Sequence, residues 1–171
     1  MRKKLEIFLK YFRIFLLLLI LGTLIFIFVN SSLPPEVSDE QSTAVGGFIT
    51  SFIPEDSSLY GFISEYIRKI AHFTEYGLLG IELSLWVLLY GRRRVREGLL
   101  SLAVPFFVGF ADETVQIFSG RGPSISDVWI DIGGFVFFGA ISYGVILGAY
   151  YLARGIVRRA RKRAGRGVTN G

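Results

Sequence analysis

Residues 14–29 read IFLLLLILGTLIFIFV and contain no charged side chain. An α-helix needs roughly 20 predominantly apolar residues to cross a hydrocarbon core about 30 Å thick, and this segment approaches that length. Three further segments are apolar over comparable lengths, at about 71–90, 99–118 and 128–152. The sequence therefore predicts an all-α integral membrane protein, a single domain over residues 1–171 with four transmembrane helices.

A cleavable signal peptide is the competing interpretation of the first segment. Basic residues between positions 2 and 13 precede the apolar run, as they do in the n-region of a signal peptide. No A-x-A-like cleavage site follows, and residues 30–35 (NSSLPP) instead favour the end of a helix. We therefore expect a retained membrane anchor.

The positions of the basic residues predict the orientation of these helices. Of the 19 Lys and Arg residues, 16 precede the first segment, lie between the second and third, or follow the fourth. Short loops rich in Lys and Arg remain on the cytoplasmic side of a membrane. Both termini are therefore expected in the cytoplasm, with residues 30–70 forming an outer loop and residues 153–171 a basic cytoplasmic tail.

Composition excludes several other classes of protein. A hydrophobic content of 51% and a mean hydropathy of +0.50 are too high for an ordinary soluble domain or a disordered chain. The chain has no Cys, which removes disulfides and thiol chemistry. Its net charge of +5 comes from residues that flank apolar segments rather than from a groove-sized patch, so nucleic acid is not an expected partner.

Two features predict how the helices pack. The outer loop contains amphipathic stretches at 45–53 and 59–67, which suit short helices on the outer leaflet or, more commonly, against the bundle. In the fourth predicted span, Ala140, Gly144 and Gly148 recur every four residues. Small residues at that spacing let helices approach closely, so this face is expected to pack within the chain, with dimerisation as the alternative.

Ionisable side chains cluster at one predicted boundary of the membrane. Such groups are costly inside a bilayer and usually face a polar interior that has a purpose. The start of the second span, the end of the third and the start of the fourth all lie on the predicted outer side, so their polar residues are expected to meet. The candidate site residues are Lys69, His72, Glu75, Tyr76, Asp112, Glu113, Gln116, Arg121, Asp127 and Asp131.

These residue types suit proton transfer and anion binding. His72 or Glu75 is the expected general base, Glu113 its acidic partner, and Arg121 a clamp for phosphate or carboxylate. A divalent metal ion is a further alternative, since His72 and Glu75 on one helix face Glu113 and Gln116 on another. Mg²⁺, Ca²⁺ and Mn²⁺ are the candidate ions, and a structural zinc site is not expected with one His and no Cys. The structural alternative is that each charge snorkels, pairs locally or caps a helix, as Asp127 is placed to do.

The same residues resemble the signature of VanZ-like membrane proteins. The resemblance covers about residues 68–148, and the position of Asp131 is often Asn in that family. It implies a protein of the bacterial cytoplasmic membrane, in a family named for low-level resistance to the glycopeptide teicoplanin. Three motifs carry it in order: Lys69-Ile70-Ala71-His72-Phe73-Thr74-Glu75-Tyr76, then Asp112-Glu113-Thr114-Val115-Gln116-Ile117-Phe118, then Gly120-Arg121 with Asp127-x-x-x-Asp131-x-Gly133-Gly134.

The leading hypothesis is an outward-facing site that binds or modifies a lipid-linked cell-envelope component, such as a cell-wall precursor, or an amphiphilic glycopeptide. Membrane lipids are the expected surroundings. The alternative is a non-catalytic binding or assembly factor whose polar cluster is a structural hydrogen-bond network. A small transporter is disfavoured, because no second polar cluster occurs in the cytoplasmic halves of the spans.

Overall fold

A computed structural model describes residues 2–89, 94–120, 122 and 124–168 of the chain. Over these residues the protein is all-helical and has no strand. Its five helices are α1 (Arg2–Ser31), α2 (Pro35–Thr50), α3 (Ser58–Leu89), α4 (Arg94–Phe118) and α5 (Ile125–Val168).

Three of the described helices contain segments long and apolar enough to cross a membrane, namely Lys3–Ser31, Leu100–Phe118 and Ile125–Arg159. They correspond to the first, third and fourth predicted spans. The first and the last extend beyond the predicted limits, and the middle one lies within 99–118. Of the remaining predicted span, 71–90, residues 71–89 lie in α3, and residue 90 lies outside the described residues. This helix is 32 residues long, but it carries His72, Glu75 and Glu82 and is not among the three segments found long and apolar enough. Its crossing of the membrane therefore stays a prediction.

Helix α1 buries one stripe and exposes the rest of its apolar surface. Leu16, Ile20, Thr23, Ile27 and Ser31 are buried, and their spacing of three or four residues places them on one helical face. Of these residues, Leu16, Ile20 and Ile27 pack with residues of α3 and α5 in the hydrophobic core. Large apolar side chains remain exposed around the other faces of the helix. An apolar surface of that extent suits lipid rather than water.

Helix α3 is the centre of the bundle. It packs most extensively against α5 and also contacts α1, α2 and α4. Glycines permit the α3–α5 approach: a Cβ at Gly80 would overlap the carbonyl oxygen of Phe135, and a Cβ at Gly134 would overlap that of Phe73. The two helices therefore meet backbone to backbone, which a larger residue at either glycine would prevent.

The small residues expected to pack are therefore not the ones that do. Gly144 and Gly148 face open space within the described part of the bundle, and Ala140 is exposed. The close approach uses Gly134 and Gly139, which precede Ala140 in α5. The physical reason is the position of α3, whose own glycines 77 and 80 lie opposite this earlier part of α5.

The segment between α1 and α3 also differs from the prediction. Helix α2 begins at Pro35 and ends at Thr50, so it starts ten residues before the predicted stretch 45–53 and stops short of its end. The stretch 59–67 is not a separate short helix, because it forms the first turns of the continuous helix α3. Likewise, α5 continues to Val168, so the predicted tail 153–171 begins as part of that helix.

Hydrogen bonds between helix ends define the two ends of the bundle. Arg13 Nη2 donates to the carbonyl oxygen of Leu89 at 3.3 Å, which places the first half of α1 beside the end of α3. Ser119 Oγ donates to the carbonyl oxygen of Ser31 at 3.0 Å, which places the ends of α1 and α4 together. The beginning of α5 lies at this second end, because it follows α4 after a short connection.

Candidate functional site

The second end of the bundle holds a buried cluster centred on His72. His72 Nδ1 of α3 lies 3.3 Å from Asp131 Oδ1 of α5 and 3.9 Å from Asp112 Oδ2 of α4. Both carboxylate side chains are 0% exposed, and the imidazole is 12% exposed. Three helices that are separate in sequence thus bring one imidazole and two carboxylates to a single point.

Asp112 is held in place by hydrogen bonds from two sides. Ser31 Oγ, at the end of α1, donates to Asp112 Oδ1. Gln116 Nε2 donates to Asp112 Oδ2 at 3.1 Å from one turn further along α4. Because α1 also reaches this carboxylate, all four long helices contribute to the cluster.

Asp131 is surrounded very differently. Both of its carboxylate oxygens are buried and accept no hydrogen bond from the described residues. His72 Nδ1 lies within hydrogen-bond distance of Asp131 Oδ1, but the two groups are not aligned for a hydrogen bond. The hydroxyl of Tyr76 is likewise buried without a partner in that part of the chain. A Cβ at Gly109 would lie 3.7 Å from Asp131 Oδ2 and 3.9 Å from this hydroxyl, so both groups face the backbone of α4.

A cavity of about 590 Å³ adjoins the cluster between α1, α2 and α3. Its lining is polar near His72, Glu75 and Ser31, and it is apolar at Phe26 and Val45. Glu75 is oriented within it by Asn30, whose Nδ2 donates to Glu75 Oε1 at 3.0 Å. A cavity with one polar and one apolar region suits an amphiphilic ligand.

A second cavity of about 280 Å³ lies on the other side of α3, towards the beginning of α5. Lys69 and Asp127 line it together with His72 and Arg68. His72 and Arg68 are one helical turn apart, and both of them line the first cavity as well. The guanidinium Nε of Arg68 is buried and makes no hydrogen bond with any residue the structure describes, so this donor is not used within the described part of the bundle.

The structure brings most of the predicted site residues to this end of the bundle. His72, Asp112, Gln116 and Asp131 form the cluster, and Glu75, Lys69 and Asp127 line the adjoining cavities. The acidic groups beside the imidazole are those of Asp112 and Asp131. Glu113 Oε2 instead accepts a hydrogen bond from the backbone N–H of Ser124 at 2.6 Å. Arg121 lies outside the described residues.

Three polar residues at this end were not among the predicted site residues. Arg68 faces both cavities, Ser31 holds Asp112 and Asn30 holds Glu75. A signal for Ser31 exists in the sequence, because it continues the α1 stripe of Leu16, Ile20, Thr23 and Ile27. Arg68 stands one turn before His72, and that spacing places the two side chains on one face.

A comparison with protein families supports the earlier resemblance. The family model described as VanZ/LLP1 matches residues 14–147, which is most of the chain. The matched region runs from the middle of α1 into α5 and contains every residue of the buried cluster. No curated protein and no solved structure matches the chain.

Proposed function

Because this chain belongs to the VanZ/LLP1 family, we propose that it acts in the bacterial cytoplasmic membrane on a lipid-linked cell-envelope component or an amphiphilic glycopeptide. The long apolar helices and the family membership support a membrane protein. A contribution to glycopeptide resistance, teicoplanin in particular, is the physiological role that we propose. The observation that carries the proposal is the buried His72 cluster beside a cavity of mixed polarity.

The proposed topology has four membrane crossings and cytoplasmic termini. Arg2 to Arg13 and the basic residues of α5 lie at the end of the bundle away from His72, and basic segments favour the cytoplasm. Helix α3 supplies the fourth crossing, because the part from His72 to Leu89 is about 27 Å long at about 1.5 Å per residue. The His72 cluster then lies near the outer surface, where α2 covers it.

We propose that the ligand is an amphiphile whose anionic headgroup lies against Arg68 and His72. Arg68 carries a guanidinium with an unused donor, and this group binds phosphate and carboxylate in a two-pronged manner. The apolar region of the larger cavity, at Phe26 and Val45, would receive the adjoining hydrocarbon. Arg121 and Lys69 are the further cations proposed to contact the headgroup.

If the protein is an enzyme, proton transfer falls to His72 or Glu75. Both side chains line the larger cavity, and Asn30 orients the Glu75 carboxylate towards it. Asp112 and Asp131 would then hold the imidazole and stabilise its charged form, as an acidic partner does. Glu113 would act less directly, through the backbone of Ser124.

The alternative is a binding or assembly factor in which the cluster is a structural hydrogen-bond network. The bonds from Ser31 and Gln116 to Asp112 favour it, since they join α1 and α4 within a fully buried environment. Polar groups buried in a membrane also stabilise helix association through such bonds. This alternative predicts loss of stability, rather than loss of ligand binding, when the cluster is changed.

Teicoplanin susceptibility of cells producing single variants tests the proposal. We expect His72→Ala and Arg68→Gln to return susceptibility to that of cells without the protein, while membrane abundance stays unchanged. Ser84→Ala is the matched control on the same helix, because Ser84 bonds Ser142 far from the cluster. Wild-type susceptibility in both site variants at normal abundance would refute a role for this site. Loss of abundance in both would instead support the structural alternative.

A further inference from the structure

The geometry of the His72 cluster is that of a three-ligand cation site. His72, Asp112 and Asp131 each offer one ligand atom, and these three atoms lie within 4.8 Å of one another. In a tetrahedral site with ligand bonds of about 2.1 Å, neighbouring ligand atoms are about 3.4 Å apart. The separations from His72 Nδ1, 3.3 Å to Asp131 Oδ1 and 3.9 Å to Asp112 Oδ2, are close to that value.

The state of Asp131 is the second and independent sign of a ligand. Its side chain is 0% exposed, yet neither carboxylate oxygen accepts a hydrogen bond from any described residue. A buried carboxylate is costly unless it is paired, hydrogen-bonded or bound to a metal ion. His72 Nδ1 is buried and makes no hydrogen bond with the described residues either, so the two unsatisfied atoms lie 3.3 Å apart and face each other.

Asp112 has the supporting contacts that metal ligands usually have. Ligating carboxylates are themselves hydrogen-bonded by outer-shell residues, which orient them towards the ion. Ser31 and Gln116 provide such bonds to Asp112. The site therefore combines one oriented ligand with two whose ligating atoms, His72 Nδ1 and Asp131 Oδ1, make no hydrogen bond with the described residues.

We propose that His72, Asp112 and Asp131 bind one divalent transition-metal ion, Zn²⁺ or Mn²⁺. One imidazole nitrogen and two carboxylate oxygens form a mixed donor set, which suits these ions. This composition distinguishes the site from sites with oxygen ligands alone and from thiolate sites. Three protein ligands leave a coordination position open for a ligand oxygen, as in catalytic metal sites. This inference rests on the proposed function, because the ion would bind the anionic headgroup at the His72 wall of the two cavities.

Metal content of the purified protein tests the proposal directly. Wild type is solubilised in detergent, loaded with ZnCl₂ or MnCl₂, desalted and measured by plasma mass spectrometry. We expect about one ion per chain for wild type, and a retained ion content at least about tenfold lower for His72→Ala and Asp131→Asn, because each lacks one ligand. Glu82→Gln is the matched control for a buried carboxylate, since Thr23 can still donate to its amide oxygen. It should retain the ion.

Thermal unfolding separates metal binding from a merely structural role. Without metal, two buried carboxylates share one imidazole. Asp131→Asn makes one of them neutral and removes their mutual repulsion, so its melting temperature should equal or exceed that of wild type. With metal, wild type should become the more stable of the two, because binding to the native state stabilises it. A wild-type protein that retains neither ion, and whose melting temperature neither ion changes, would overturn the proposal.

The outcomes also separate this inference from the proposed function. If wild type binds no ion but His72→Ala abolishes protection against teicoplanin, the metal inference fails and the proposed function stands. If wild type binds one ion but the site variants keep wild-type susceptibility, the metal site stands and the proposed function fails.

Discussion

His72 belongs both to the buried carboxylate cluster and to the walls of the two cavities. One side of the imidazole faces Asp112 and Asp131, and the residue also borders space that a ligand can enter. The one histidine of the chain can therefore contact the carboxylates and a ligand in the cavities at the same time. Arg68 shares both cavities but not the carboxylates, so the two residues are suited to different parts of one anionic ligand.

Thr23 and Glu82 provide a test of buried polar bonding away from the site. Thr23 Oγ1 donates to Glu82 Oε1 at 2.8 Å, and both side chains are buried. Thr23→Val keeps the shape of the side chain but leaves the carboxylate without this donor. We expect the free energy of unfolding in detergent to fall by about 1–3 kcal/mol, the usual cost of an unsatisfied buried group.

Thr114→Val is the control for that change. Thr114 is exposed and its hydroxyl donates to the carbonyl oxygen of Phe110 in its own helix, so its removal leaves no buried group unsatisfied. Unfolding followed by circular dichroism should show little change for this variant. Equal losses in the two variants would contradict a specific role for the Thr23–Glu82 bond.

At the scale of elements, the contact between α3 and α5 positions the site. It sets the rotation of α5 that turns Asp131 towards His72, and it depends on the close approach at Gly80 and Gly134. Helix α1 contributes a single stripe that ends at Ser31 and the site. The element that carries most of the polar residues, α3, is thus also the one that every other described helix contacts.

Gly134→Ala tests this contact. The added Cβ would overlap the carbonyl oxygen of Phe73, so the two backbones must separate. Overpacking of this kind costs about 1–3 kcal/mol in well-packed interiors, and we expect a lower melting temperature of the detergent-solubilised protein.

Gly144→Ala is the matched control on the same helix. A Cβ there meets no heavy atom within 4 Å, and Ala favours the helix over Gly. Its melting temperature should equal or exceed that of wild type. If Gly144→Ala were as damaging as Gly134→Ala, the exposed small residues of α5 would have to pack against a second chain.

For the whole molecule, the proposed orientation predicts which positions are reachable from outside the cell. The chain contains no Cys, so single substitutions such as Ser126→Cys and Ala153→Cys create unique labelling sites. Both residues are exposed, and they lie near the beginning of α5 and far along it, respectively. A membrane-impermeant maleimide should label intact cells at Ser126→Cys and should label Ala153→Cys after permeabilisation alone. The reverse pattern would place the His72 cluster on the cytoplasmic side.

The sequence was sufficient for the helical class, for the three segments long and apolar enough to cross a membrane, and for the end of the bundle where polar residues gather. These properties follow from local apolarity and from the positions of charged residues, which can be counted along the chain. The three ordered motifs that resemble VanZ-like proteins agree with the family match over residues 14–147.

Tertiary structure alone decided which side chains meet within that end. Asp112 and Glu113 are neighbours in sequence, but adjacent helical residues point in directions about 100° apart, and only Asp112 faces His72. The rotation of α5 about its axis follows from how glycines 80 and 134 let the backbones of α3 and α5 approach. Because that packing joins residues distant in the chain, no local pattern could have distinguished Asp131 as the carboxylate closest to the imidazole.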